Sequence, residues 1–116
     1  IIFCYVMPIG MFIAKEEQEA LTLIRREQPK LVTLDLVLPS SLHRRSDVSF
    51  HEPVGLLILR QLKDDPKTKG IIVLITSNLD DSEHRRRALE LGAADYLIKA
   101  ELLPAQFADR VAHYLG

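Results

Sequence analysis

The run Lys30-Leu31-Val32-Thr33-Leu34-Asp35-Leu36-Val37-Leu38-Pro39 constrains this chain more than any other stretch. It is apolar and partly β-branched, carries a single carboxylate toward its carboxyl end and stops at a proline. A strand this apolar reads as buried on both faces, the condition of a strand in a parallel sheet covered by helices. Asp35 then falls at the C-terminal edge of the sheet, where open α/β sheets gather ligands and chemistry. Taking a lone carboxylate out of water is costly unless a cation, a hydrogen-bond donor or a reaction holds it there. Asp35 is therefore a candidate site residue, and the competing reading is an ordinary loop or N-cap aspartate.

The remaining elements alternate. Met11 to Ala14 reads as a short strand and Lys15 to Gln28 as an amphipathic helix with Ala20, Leu21 and Ile24 inward, ended by Pro29. Residues 40–53 are polar and aperiodic, containing His43, Arg44, Arg45, Asp47, His51 and Glu52, and read as a long loop. Gly55 to Lys63 follows as a helix with Leu56, Leu59 and Leu62 inward, closed by the turn signal Asp64-Asp65-Pro66. Ile71 to Ile75 is a second fully buried strand, terminated by Thr76-Ser77-Asn78. Asp80 and Glu83 have the spacing of a capping box for a helix that runs to Leu91 and stops at Gly92. Asp95 to Lys99 is a last short strand, and Pro104 to Leu115 a last helix with Phe107, Val111 and Tyr114 or Leu115 inward. This order predicts an α/β fold with a doubly wound parallel sheet.

Composition narrows the function. The 116 residues suffice for one domain and not two. A net charge of −1 gives no electrostatic case for nucleic acid or an anionic membrane. The apolar stretch from Ile1 to Ala14, broken by Pro8 and Gly10, is too short to span a bilayer and lacks a basic leader. One cysteine, Cys4, makes no internal disulfide, which fits a reducing cytoplasm. With only five glycines and no glycine-rich phosphate loop, a nucleotide or flavin module on the same architecture is disfavoured.

Right-handed crossovers put parallel strand C-termini on one edge, so Asp35, Ser77 and Lys99 are predicted to meet there. A carboxylate can act as a nucleophile toward a phosphoryl group. The transferred group needs positioning and neutralisation, which an ammonium and a hydroxyl supply. Each residue also has a plainer role: Ser77 as a turn serine, Lys99 as a solvated strand-end cation.

These residues resemble a response-regulator receiver domain of two-component signalling. The resemblance rests on Asp35-Leu36-Val37-Leu38-Pro39 as the phosphoacceptor motif, Ser77 after Ile71 to Ile75 as the switch hydroxyl, and Gly92-Ala93-Ala94-Asp95-Tyr96-Leu97-Ile98-Lys99 as the stretch ending in the phosphate-binding lysine. Spacing back from Gly92 favours Ser77 over the adjacent Thr76. Tyr96 matches the aromatic that swings inward in such domains, against a plainer reading as a surface filler. The resemblance covers Met11 to the end and implies a flavodoxin-like fold in which Asp35 accepts a phosphoryl group from a histidine kinase. It further implies a conformational switch read by a downstream protein partner or a homodimer, cytoplasmic location, and no enzymatic role beyond self-phosphorylation and autodephosphorylation.

Three features depart from the family pattern. Receivers hold Mg²⁺ through the phosphoacceptor and an acidic pair after the first strand, whereas no acidic residue precedes Glu16 here, leaving Asp35 as the one recognisable Mg²⁺ ligand. Truncation, favoured by the non-Met start, is one account. A metal-independent pseudo-receiver acting as an interaction module is another. In the third, Ile1 to Val6 takes the central slot, which demands an antiparallel or swapped arrangement because Pro8-Ile9-Gly10 is too short for a parallel crossover. Second, Gly55 lies about twelve residues farther from Asp35 than the family glycine does, an insertion where loops are normally short. Asp47 and Glu52, or His43 and His51, are remote candidates for metal ligands in it. Third, Ala100 replaces the proline that commonly follows the lysine, predicting a trans link or a local change in how Lys99 is aimed. The whole chain, 1–116, is thus read as one receiver with an atypical segment at 1–10 and an inserted loop at 40–53.

Overall fold

In the computed structural model the described residues are 2–5, 11–14, 16–36, 53–78 and 81–116, the first two segments by their backbone alone. Strands β1 (Ile2–Tyr5), β2 (Met11–Ala14), β3 (Leu31–Asp35), β4 (Ile72–Ser77) and β5 (Asp95–Ile98) form one sheet in the order β2-β1-β3-β4-β5. Helices α1 (Glu17–Glu27), α2 (Val54–Asp64), α3 (Ser82–Glu90) and α4 (Pro104–Leu115) connect or follow them.

The predicted α/β architecture is present, with β3, β4 and β5 parallel. The sheet departs from the expected all-parallel form at one strand. β1 runs antiparallel to both neighbours, with Ile2 opposite Ala14 on one side and Leu34 on the other. The cause is chain length: five residues separate β1 from β2, enough for a hairpin and too few for a crossover. The central slot is thus filled by the antiparallel arrangement, and β2 regains the direction of β3.

Strand alternation builds the two cores. Val32, Leu34, Val73, Ile75, Tyr96 and Ile98 face α1, α2 and α3, packing with Ala20, Leu21, Ile24, Leu59, Leu62 and Ala88. Their neighbours Leu31, Leu74 and Leu97 face the other way, onto Val111 and Phe107 of α4. A run with no polar alternation is what a strand covered on both sides requires.

The element ends have local causes. Gln28 closes α1 in a left-handed conformation (φ 49°), its N–H donating to the Ile24 carbonyl, and Pro29 follows. The N-cap of α3 is Asp81, whose carboxylate accepts from the N–H groups of Glu83 and His84. Asp80, the predicted cap, lies outside the described residues. Gly92 leaves α3 at φ 108°, where a side chain would be strained and a Cβ would come 3.2 Å from Lys63. α4 begins at Pro104, and Gln106 accepts from the Leu103 N–H. The loop 40–53 lies outside the described residues apart from Pro53.

Candidate functional site

β3 delivers Asp35 to the C-terminal edge, and its strand register sets Thr76 directly opposite. The Thr76 hydroxyl donates to Asp35 Oδ1 at 2.6 Å. Lys99 Nζ reaches the same oxygen at 2.6 Å. Asp35 is largely shielded (17% of its side chain exposed) and Lys99 is more open (43%), so an ammonium that keeps solvent access caps a carboxylate that keeps little. Burial pushes the Asp35 carboxyl upward, but its hydrogen bonds, that of Lys99 first and that of Thr76 among the others, together with the Lys99 charge, outweigh it and hold the group below the usual aspartate range.

The structure thus brings together two of the three predicted edge residues and puts a different hydroxyl on the carboxylate. β4 extends to Ser77, so Thr76 lies inside the strand and Ser77 is its last residue. Successive strand residues point to opposite faces. Thr76 continues the Ile72 and Leu74 face, which is also that of Asp35, while Ser77 continues the Val73 and Ile75 face and sits opposite Ile98. Spacing from Gly92 runs through a loop and a helix and carries no information about which face a strand residue takes.

Lys99 is the first residue past β5, in one turn of 3-10 helix with Ala100 and Glu101. Tyr96 is buried (3% exposed) in the core beside Ala88, with the Arg85 guanidinium 5.2 Å from its ring centre, which rules out a surface-filler role.

Gly55 completes the local construction. Its N–H donates to the Leu36 carbonyl at 2.8 Å, and a Cβ at this position would come 2.4 Å from the Asp35 carbonyl oxygen. The start of α2 therefore rests on the backbone that carries Asp35. The sequence marks Gly55 only through its place in the motif; the close approach is a tertiary fact.

No protein-family model matches the chain. Curated relatives do. The chain is 33% identical over 86 residues to the response regulator PleD of Caulobacter vibrioides, covering 74% of this chain and 16% of that protein. It is 41% identical over 76 residues to the transcriptional regulatory protein RstA of Escherichia coli, covering 66% and 26%. Among solved structures, the BeF3-activated N-terminal receiver domain of Klebsiella pneumoniae RstA superposes with a TM-score of 0.69 at 27% identity, covering 90% of this chain and 75% of that one. The chain belongs to the response-regulator receiver family. It spans about a fifth of the length of the first curated relatives or less than that, 21% of a methylesterase of Desulfotalea psychrophila and 16% of PleD.

The receiver fold brings an expectation of Mg²⁺, which the described donors around Asp35 do not meet. A hard cation of this kind wants several oxygen ligands with carboxylates among them. Among the described residues no three potential ligands of the His, Cys, Asp or Glu type cluster. The strand ends flanking Asp35 on the β1 side carry Ile2 and Ala14. Asp47, Glu52, His43 and His51 lie outside the described residues. No described helix of this receiver is long and apolar enough to cross a membrane.

Proposed function

We propose that this receiver accepts a phosphoryl group on Asp35 from a histidine kinase and that the modification alters a surface read by a downstream protein or a second copy. The observation that carries the reading is the shielded Asp35 carboxylate held by both Lys99 and Thr76 at 2.6 Å. An Asp35 oxygen forms the new O–P bond while the N–P bond of the donor phosphohistidine breaks, and the departing imidazole nitrogen takes up a proton. Lys99 and the Thr76 hydroxyl then transfer from the carboxylate to phosphoryl oxygens, where positioned donors stabilise the charge. Ile75, next to Thr76, is the register partner of Tyr96, so a shift of Thr76 is felt by the buried ring and by Arg85 on α3 above it. The switch surface is then α3, β5 and α4. Ser77 remains a supporting strand residue in this reading.

A second reading, a phosphorylation-independent interaction module, is favoured by one observation: the absence of clustered acidic ligands among the described residues. Incubation with acetyl phosphate followed by intact-mass measurement separates the two. A single phosphoryl adduct, absent from Asp35→Asn, supports the phosphoacceptor; an unmodified chain supports the interaction module. The assay is run in EDTA and in Mg²⁺, and an adduct in either satisfies the first reading.

A further inference from the structure

We infer that Lys99 is the resident counter-ion of the Asp35 site and that the site works without a divalent cation. The inference rests on the phosphoacceptor reading of Asp35 and specifies its regulation. A carboxylate at a strand edge that is mostly removed from water needs a compensating positive charge. In this chain the Lys99 ammonium already sits 2.6 Å from Asp35 Oδ1, and Thr76 donates to the same atom. A hard divalent ion arriving there would have to displace or oppose that ammonium, with Asp35 as the carboxylate it would gain in return.

The neighbouring strand β1, Ile2-Phe3-Cys4-Tyr5, contains no carboxylate-bearing residue. β1 is reversed, so the edge beside Asp35 receives the beginning of that strand, not its end and the turn after it. The residues that the register brings there are Ile2 and, one strand further, Ala14, neither of which offers an oxygen ligand from its side chain type. The ends of β1 and β2 at this edge are thus aliphatic in the described residues 2 and 14. Among the described residues the site holds an ion pair and a hydroxyl donor, groups fitted to an anionic phosphoryl group and poorly fitted to a cation.

Two measurements on the whole chain test this. The first is a Mn²⁺ titration followed by electron paramagnetic resonance, carried to about 10 mM, beyond the weakest carboxylate sites for divalent ions. The wild type is expected to show no saturable binding that depends on Asp35. Saturable binding abolished in Asp35→Asn overturns the inference, whereas binding that survives this substitution places the ion elsewhere and supports it.

The second is the melting temperature of wild type, Lys99→Met and Lys99→Arg, with and without Mg²⁺. Lys99→Met is expected to melt several degrees lower, Lys99→Arg to recover part of the loss, and Mg²⁺ to restore nothing. Recovery of the Lys99→Met protein by Mg²⁺ shows that the ion takes the lysine's place and overturns the inference. The phosphorylation assay is independent of both: an adduct that requires Mg²⁺ contradicts the counter-ion role and leaves the phosphoacceptor standing. Failure of any adduct to form, with Mn²⁺ still unbound, contradicts the phosphoacceptor alone.

Discussion

Gly55 and Asp35 are locked together through the backbone: a Cβ on Gly55 would stand 2.4 Å from the Asp35 carbonyl oxygen and 2.7 Å from the Leu36 Cα. Both obstacles are main chain, which cannot rotate away as a flexible side chain can. Gly55→Ala must push the start of α2 off β3 or tilt the peptide that carries Asp35. The expected cost is about 1–3 kcal/mol, the usual range for overpacking, read as a lower denaturation midpoint. Because the strain falls on Asp35, phosphoryl acceptance should fall as well in the fraction that remains folded. An Ala substitution at Gly70, where a Cβ meets nothing within 4 Å, is the control.

Thr76 and Ser77 should separate cleanly. Thr76→Val removes a donor to the charged form of Asp35, so the carboxyl should titrate at higher pH than in the wild type. Lys99 remains on the carboxylate, which limits the loss of stability to about 1.5 kcal/mol, the lower range for a hydrogen bond to a charged group. Ser77→Ala should leave the Asp35 titration where it is. Carbonyl NMR of Asp35 through an acid titration measures both, and an Asp35 shift caused by Ser77→Ala alone would contradict the assignment.

Acid stability follows from the same contact. The folded-state value of Asp35 is depressed, so its contribution to stability is complete above the ordinary aspartate value of about 3.9 and is lost as pH falls through the lower folded value. Asp81 is also depressed, chiefly by the backbone N–H of His84, and contributes to the same acid limb. The difference between wild type and Asp35→Asn isolates the site: the two stability curves should converge below that window and diverge above it.

The C-terminal helix is tied to the edge strand through Asp95. Tyr114 Oη donates to Asp95 Oδ2 at 2.9 Å, Arg110 reaches the same oxygen at 3.1 Å, and the other carboxylate oxygen accepts the Tyr96 N–H at 2.8 Å. That carboxylate raises the Tyr114 hydroxyl above the usual tyrosine range, so the bond is kept across neutral pH. Tyr114→Phe should cost about 1 kcal/mol and loosen α4 against β5, visible as faster amide exchange at α4 with little change at Asp35.

How much of this was legible in the sequence depended on whether the signal was local. The apolar runs at 31–36 and 71–75, Pro29, Gly92 and Pro104 gave the parallel strands and most helix ends, because each acts within its own segment. The direction of β1 is only partly legible: residues 6–10 are too few for a crossover, which demands an antiparallel strand there, while the non-Met start favours a truncated one. Which hydroxyl meets Asp35 was not legible. β4 is buried on both sides, so no polar alternation marks its two faces, and spacing back from Gly92 crosses a helix, where strand parity is not conserved. Asp81 in place of Asp80 as the cap is the same kind of one-residue slip, since either carboxylate precedes the helix. The contact of Gly55 with the Asp35 carbonyl joins residues twenty positions apart and belongs to tertiary packing alone.

The most direct test of the central claim locates the modified atom. The chain is treated with acetyl phosphate, reduced with borohydride so that an acyl phosphate becomes an alcohol, and digested for tandem mass spectrometry. The account predicts homoserine at position 35 and aspartate elsewhere. Homoserine at another position, or unreduced aspartate at 35 after treatment with and without Mg²⁺, would contradict it.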